Sequence, residues 1–107
     1  MPITDEWYEY VVELLVADAF ATLGVGHDRT IRHCADNARS FLDDEDAFYS
    51  NVIESVQQAF HDEFIDITWP SCPRHPGRPM WLSDAWWRCD DDDVLVARVG
   101  ELAAVRR

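Results

Sequence analysis

Residues 69–102 read W-P-S-C-P-R-H-P-G-R-P-M-W-L-S-D-A-W-W-R-C-D-D-D-D-V-L-V-A-R-V-G-E-L, and the reading of this stretch decides the fold. It holds four of the five Trp, four of the five Pro and two of the three Cys of a 107-residue chain. Met80-Trp81-Leu82 and the run from Ala85 through Trp86, Trp87 and Arg88 to Cys89 flank Ser83-Asp84, a two-residue hairpin signal that lacks only the favoured Gly. The four Asp at 90–93 make a second turn, and the apolar run 94–99 reads as a final strand. A small antiparallel meander follows.

Upstream, the period changes from two to that of a helix. Thr4 is a natural N-cap, and Asp5 and Glu6 suit the positive end of the helix dipole. Trp7, Val11, Leu14, Leu15, Asp18, Ala19 and Leu23 then lead to Gly24, which supplies a stop. The apolar arc of this helix is wide, which fits burial on more than one side or pairing with a second copy of the chain. Asp28 or Thr30 can cap a second helix, whose stripe is Ile31, Cys34, Ala35, Ala38, Phe41 and Leu42. Cys34 in that stripe reads as a small core thiol. Arg29, Arg32, His33 and Arg39 occupy the other faces as a locally basic surface. The acidic run at 43–46 opens a third helix with the stripe Tyr49, Val52, Ile53, Val56, Phe60 and Phe64. Residues 64–69 alternate in β-rich fashion and stop at Pro70.

A chain of this length buries about two-thirds of its unfolded surface, and 48% hydrophobic against 28% charged residues is the balance of a folded domain. No apolar run approaches the roughly 20 residues of a membrane span. The acidic N-terminus is unlike a signal peptide, so a cytoplasmic location with reduced thiols is expected. The net charge is −12, and all nine basic side chains are Arg. Such a charge disfavours direct binding to nucleic acid or to anionic membranes, both of which need a basic patch. It suits a protein partner with a basic face.

Chemistry concentrates in Cys72-Pro73-Arg74-His75. This C-x-x-H spacing lets a thiolate and an imidazole share one tetrahedral ion, as in half of a zinc knuckle. Cys89 can bring a third ligand from across the hairpin, and Asp92, in Cys89-x-x-Asp92, a fourth. The reading is a structural zinc held by Cys72, His75, Cys89 and Asp92. A Pro-stiffened loop packed on Trp rings without metal is the competing reading, since prolines stand at 70, 73, 76 and 79. A Cys72–Cys89 disulfide is sterically allowed but disfavoured by a reducing compartment.

W-P-x-C-P-x-H-P, an aromatic strand ending in Cys, and V-A-R-V-G-E-L together resemble the C-terminal signature of a group of small actinobacterial proteins. The resemblance covers residues 69–102. In that group the loop reads C-P-x-H-P-x-H-P, and a Pro follows the later Cys. The resemblance therefore implies a Cys-His-His-Cys site, of which this chain keeps Cys72, His75 and Cys89. Arg78 stands where the second His would be, and Asp90 replaces the Pro. No activity comes with the resemblance.

Trp86 and Trp87 are adjacent on one strand and must point to opposite faces. Together with Trp81 they are candidates for a protein interface, where Trp is enriched. For catalysis there is no Gly-rich phosphate loop, nucleophile elbow or metalloprotease helix motif. His27, His33 and His61 are scattered. The expected fold is α+β: three N-terminal helices followed by a small antiparallel β-meander resembling a degenerate zinc ribbon. It is one domain over 1–107, with 1–65 mainly helical and 66–107 the meander and its Pro/Trp/Cys-rich loop. The expected role is a non-enzymatic protein-binding adaptor or accessory subunit, with a protein partner or a second copy of itself. Two alternatives are an acidic mimic of nucleic acid and a small zinc-dependent hydrolase-like enzyme.

Overall fold

The computed structural model describes residues 2–63 and 68–105, apart from the side chain of Pro76. Three helices come first: α1 (Asp5–Leu23), α2 (Asp28–Phe41) and α3 (Glu45–Asp62). A four-stranded antiparallel sheet follows in the order β1 (Ser71–Cys72), β2 (His75–Ser83), β3 (Trp86–Cys89) and β4 (Val94–Arg98). One turn of helix, α4 (Leu102–Val105), closes the described chain. The α+β class and the meander agree with the sequence reading.

The helix starts have local causes. The Thr4 hydroxyl accepts the Trp7 N–H at 3.1 Å, and the Asp44 carboxylate accepts the Ala47 N–H at 2.8 Å. α1 ends at Gly24, whose φ of 90° is the left-handed backbone that glycine tolerates best. α2 departs from expectation, because His27 sits at its N-cap without a side-chain cap bond and Asp28 is already in its first turn.

The buried faces refine the stripes. α2 buries Ile31, Cys34, Ala35 and Ala38, but Phe41 is 61% exposed because the helix ends there, past the core. α3 buries Phe48 where Tyr49 was expected; Tyr49 stands at the rim against Trp7. The expected strand at 64–69 lies outside the described residues over 64–67, as does Phe64, and its last two residues, Thr68 and Trp69, form a turn. Two of the three arginines on the basic face of α2 are paired by α1. Arg32 makes two bonds to Glu9, at 3.0 and 3.2 Å, and Arg39 reaches Asp5 at 2.6 Å.

One core joins helices and sheet. Phe60 meets Trp69 edge to face at 4.8 Å, and Trp69 meets Trp87 in the same way at 5.7 Å. Each indole N–H then finds an acceptor on α1: Trp69 donates to the Thr22 hydroxyl at 2.9 Å and Trp87 to Asp18 at 2.7 Å. Asp18 is fully buried. Its carboxylate also accepts the backbone N–H of Gly100 at 2.7 Å and of Leu102 at 3.0 Å. One carboxylate in the C-terminal part of α1 thus fixes β3 and the start of α4. Gly100 lies so close to α1 that a Cβ there would come within 2.5 Å of Leu14 Cδ2. Among the described residues no helix is long and apolar enough to cross a membrane.

Candidate metal centre

The β1–β2 connection is a tight turn that pairs Cys72 with His75 across the ladder. The register of β2 on β3 sets Met80 opposite Cys89, so Cys89 arrives from the next hairpin on the inward face. Both thiols are buried, at 1% and 0% exposure, while His75 is partly exposed. The three ligand atoms lie within 4.8 Å of one another. Two turns far apart in sequence have converged on one point.

The distances bear on what that point can hold. His75 Nδ1 is 3.7 Å from Cys72 Sγ and 3.5 Å from Cys89 Sγ. With zinc–sulfur bonds of about 2.3 Å and zinc–nitrogen bonds of about 2.0 Å, a tetrahedral site sets sulfur and nitrogen about 3.6 Å apart. A neutral imidazole nitrogen offers one in-plane site, as donor or as acceptor, and cannot satisfy two thiols. The three atoms lie close enough together to hold one metal ion.

The surroundings are acidic and oriented. Burial pushes the Cys89 thiol up and the neighbouring Cys72 adds to the rise, while the backbone amides of Asp91 and Asp92 act the other way and favour the thiolate. On its far side, His75 Nε2 faces Asp91 at 3.6 Å, the position from which a carboxylate orients a ligating imidazole. Arg78 pairs with that same Asp91 at 3.6 Å.

Asp92 borders the trio without joining it. Its Oδ2 is 3.9 Å from His75 Nδ1 and 3.2 Å from Arg74, and its Oδ1 is buried with no hydrogen-bond partner. All three cysteines are free thiols. Cys34 is away from this group as a core thiol raised by burial, in keeping with its place in the α2 stripe.

The tryptophans divide by strand register. Trp87, expected at a protein interface with Trp81 and Trp86, is instead wholly buried, because it shares the inward face with Cys89 and Ala97. Trp86 points outward beneath Arg98, whose guanidinium lies 5.7 Å from its ring centroid. Trp81 is 38% exposed, and the pairing places it on one face with Arg88 and Leu95. His61 bonds the Trp69 carbonyl at 3.3 Å, so it belongs to the core's edge. Asp18 was visible only as a polar residue inside an apolar arc, a signal that could have flagged it. Comparison with protein-family models, curated proteins and solved structures returns no match.

Proposed function

We propose that this chain is a non-enzymatic protein-binding adaptor or accessory subunit whose terminal sheet is clamped by a structural zinc ion. Cys72, His75 and Cys89 are the first three ligands and Asp92 the fourth. The observation that carries this reading is the pair of sulfur–nitrogen separations at His75 Nδ1, 3.7 and 3.5 Å, which match the edges of a zinc tetrahedron. The stranded Oδ1 of Asp92 supports the fourth assignment, since a buried carboxylate oxygen without a donor is costly unless a cation serves it. Two turns of C-x-x-H and C-x-x-D spacing then act as opposed knuckles, in the manner of a zinc ribbon. The binding role is supported by Trp81 and Leu95, exposed on one sheet face with Trp86 and flanked by Arg88 and Arg98. Nucleic-acid mimicry is less well supported, because Asp44 caps α3 while Asp91, Asp92 and Asp93 face Arg78, Arg74 and Arg88.

Elemental analysis of protein purified without a metal-affinity tag tests the zinc. About one zinc per chain is expected, lost in Cys72→Ser and weakened in Asp92→Ala. Metal-free protein whose fold survives Cys72→Ser unchanged would reduce the trio to packing. Full zinc content and unchanged zinc affinity in Asp92→Ala would instead mean that water holds the fourth position, and the hydrolase-like reading would take precedence.

A further inference from the structure

A second site lies at the other end of the sheet, where the start of α1, the start of α3 and the β2–β3 turn enclose a groove of about 410 Å³. Trp7, Tyr10 and Tyr49 line it together with Asp46, Ser50 and Asp84. The Trp7 indole is oriented by donating to the Glu45 carbonyl at 3.2 Å. Its ring centroid is 5.2 Å from that of Tyr10 and 6.4 Å from that of Tyr49, with planes tilted by 31° and 42°. Asp46 and Asp84 are exposed on the groove, and among the described residues neither has an ion-pair partner. The nearby Arg98 is engaged elsewhere, over Trp86 and 3.9 Å from Glu101.

Ring faces carry negative quadrupole potential, and a cation within about 6 Å of a centroid is attracted to it. A groove lined by three aromatic rings and two carboxylates without an ion-pair partner therefore suits an organic cation. The burial of Tyr49 pushes its phenol up to about 12, so the groove's formal charge at neutral pH comes from the two aspartates. We propose that this groove binds a basic side chain, the guanidinium or ammonium of an Arg or Lys that a partner protein presents. A free small cation fits less well. With Tyr10 49% exposed and both aspartates in solvent, the groove cannot enclose most of a small ligand's surface. A side chain anchored in a larger contact needs no such enclosure. The chain's net charge of −12 draws a basic segment toward it. The source of the cation rests on the protein-binding reading above; the groove's affinity for a cation does not.

The test is a nuclear magnetic resonance titration of the protein with Ac-Gly-Arg-Gly-NH2 and Ac-Gly-Lys-Gly-NH2. Their neutral counterparts, carrying citrulline and acetyl-lysine, serve as controls, and tetramethylammonium chloride as the free cation. Expected are saturable shifts of the Trp7 indole N–H, with the neutral peptides at least about fivefold weaker and tetramethylammonium weaker than the better basic peptide. Tyr10→Leu, which leaves the charge unchanged, should weaken the Arg peptide about three- to tenfold with the circular dichroism and metal content unaltered. Asp46→Asn with Asp84→Asn should weaken it independently and flatten its salt dependence. Equal binding of the citrulline peptide, or unchanged affinity in both the Tyr10 and the aspartate variants, would overturn the site and leave only general attraction to an acidic chain. Tighter binding of tetramethylammonium than of either basic peptide would overturn the side-chain source. Metal analysis is blind to Tyr10, and this titration does not require zinc, so each reading can fail without the other.

Discussion

At the scale of single residues, Asp18 is the polar group on which helices and sheet depend together. Three N–H donors end on its carboxylate, from Trp87, Gly100 and Leu102. Asp18→Ala would leave all three buried or part-buried donors unpaired, and the cost expected is on the order of 3 kcal/mol or more. That is a large share of a small domain's stability of roughly 5–15 kcal/mol, and a urea titration followed by Trp fluorescence measures it. Burial raises the Asp18 carboxyl above its ordinary value and outweighs the three donors, which lower it. A group that binds its proton more tightly folded than unfolded favours folding at low pH. The Asp18 contribution therefore declines as pH rises from the ordinary aspartate value of 3.8 through the raised folded value, and is flat above it. Glu9 acts the opposite way, since Arg32 holds it low. The wild-type stability minus that of Asp18→Asn, followed over pH 3–7, isolates the effect. A difference that grows with pH would refute the assignment.

At the scale of elements, caps and turns carry most of the local specification. Asp44→Ala should cost about 1 kcal/mol, read as a lower denaturation midpoint at unchanged slope, because it removes the side-chain acceptor at the head of α3. Gly100 matters for two reasons at once. Its φ of 95° is strained for any side chain, and an added Cβ would collide with Leu14. Gly100→Ala should cost roughly 2–3 kcal/mol, and Leu14→Ala in the same chain should recover the steric part, making the pair measurably less than additive. Strict additivity would mean that α1 does not press on this turn. The hairpin also shows how a non-glycine turn is managed: Asp84 takes a φ of 53°, a conformation that Asp tolerates better than most residues.

At the scale of the molecule, β1, β2 and β3 bring the candidate ligands Cys72, His75 and Cys89 together while Trp69 and Trp87 tie the same sheet to the helical core. If zinc clamps the two turns, chelation should loosen the sheet and weaken that core while the helices persist. Even a 2 kcal/mol share would lower the thermal midpoint by roughly 10 °C in a domain of this size. Near-ultraviolet circular dichroism should lose Trp signal ahead of the far-ultraviolet helical signal. An unchanged melting curve with excess chelator would argue against a structural ion.

The sequence by itself determined that three helices precede an antiparallel meander, because caps, turn residues and hydrophobic period are local properties; the short β1 and α4 carry no such signal and came only from the structure. Thr4 and Asp44 head their helices, Gly24 stops the first, and the Asp run at 90–93 turns the last hairpin. It also singled out Cys72 and His75, since the C-x-x-H spacing is itself local, and Cys89, because the hairpin signal at Ser83-Asp84 folds its strand back toward that loop. Tertiary structure decided what local pattern leaves degenerate. Alternation required Trp86 and Trp87 to part, but only packing against Asp18 and Trp69 sent Trp87 inward. Helical spacing did not separate Phe48 from Tyr49, and the neighbouring helix did. Asp18 reads as a breach in an apolar stripe until the donors of Trp87, Gly100 and Leu102 arrive from about 70 to 84 residues away, because a buried charge is intelligible only through partners that the fold supplies.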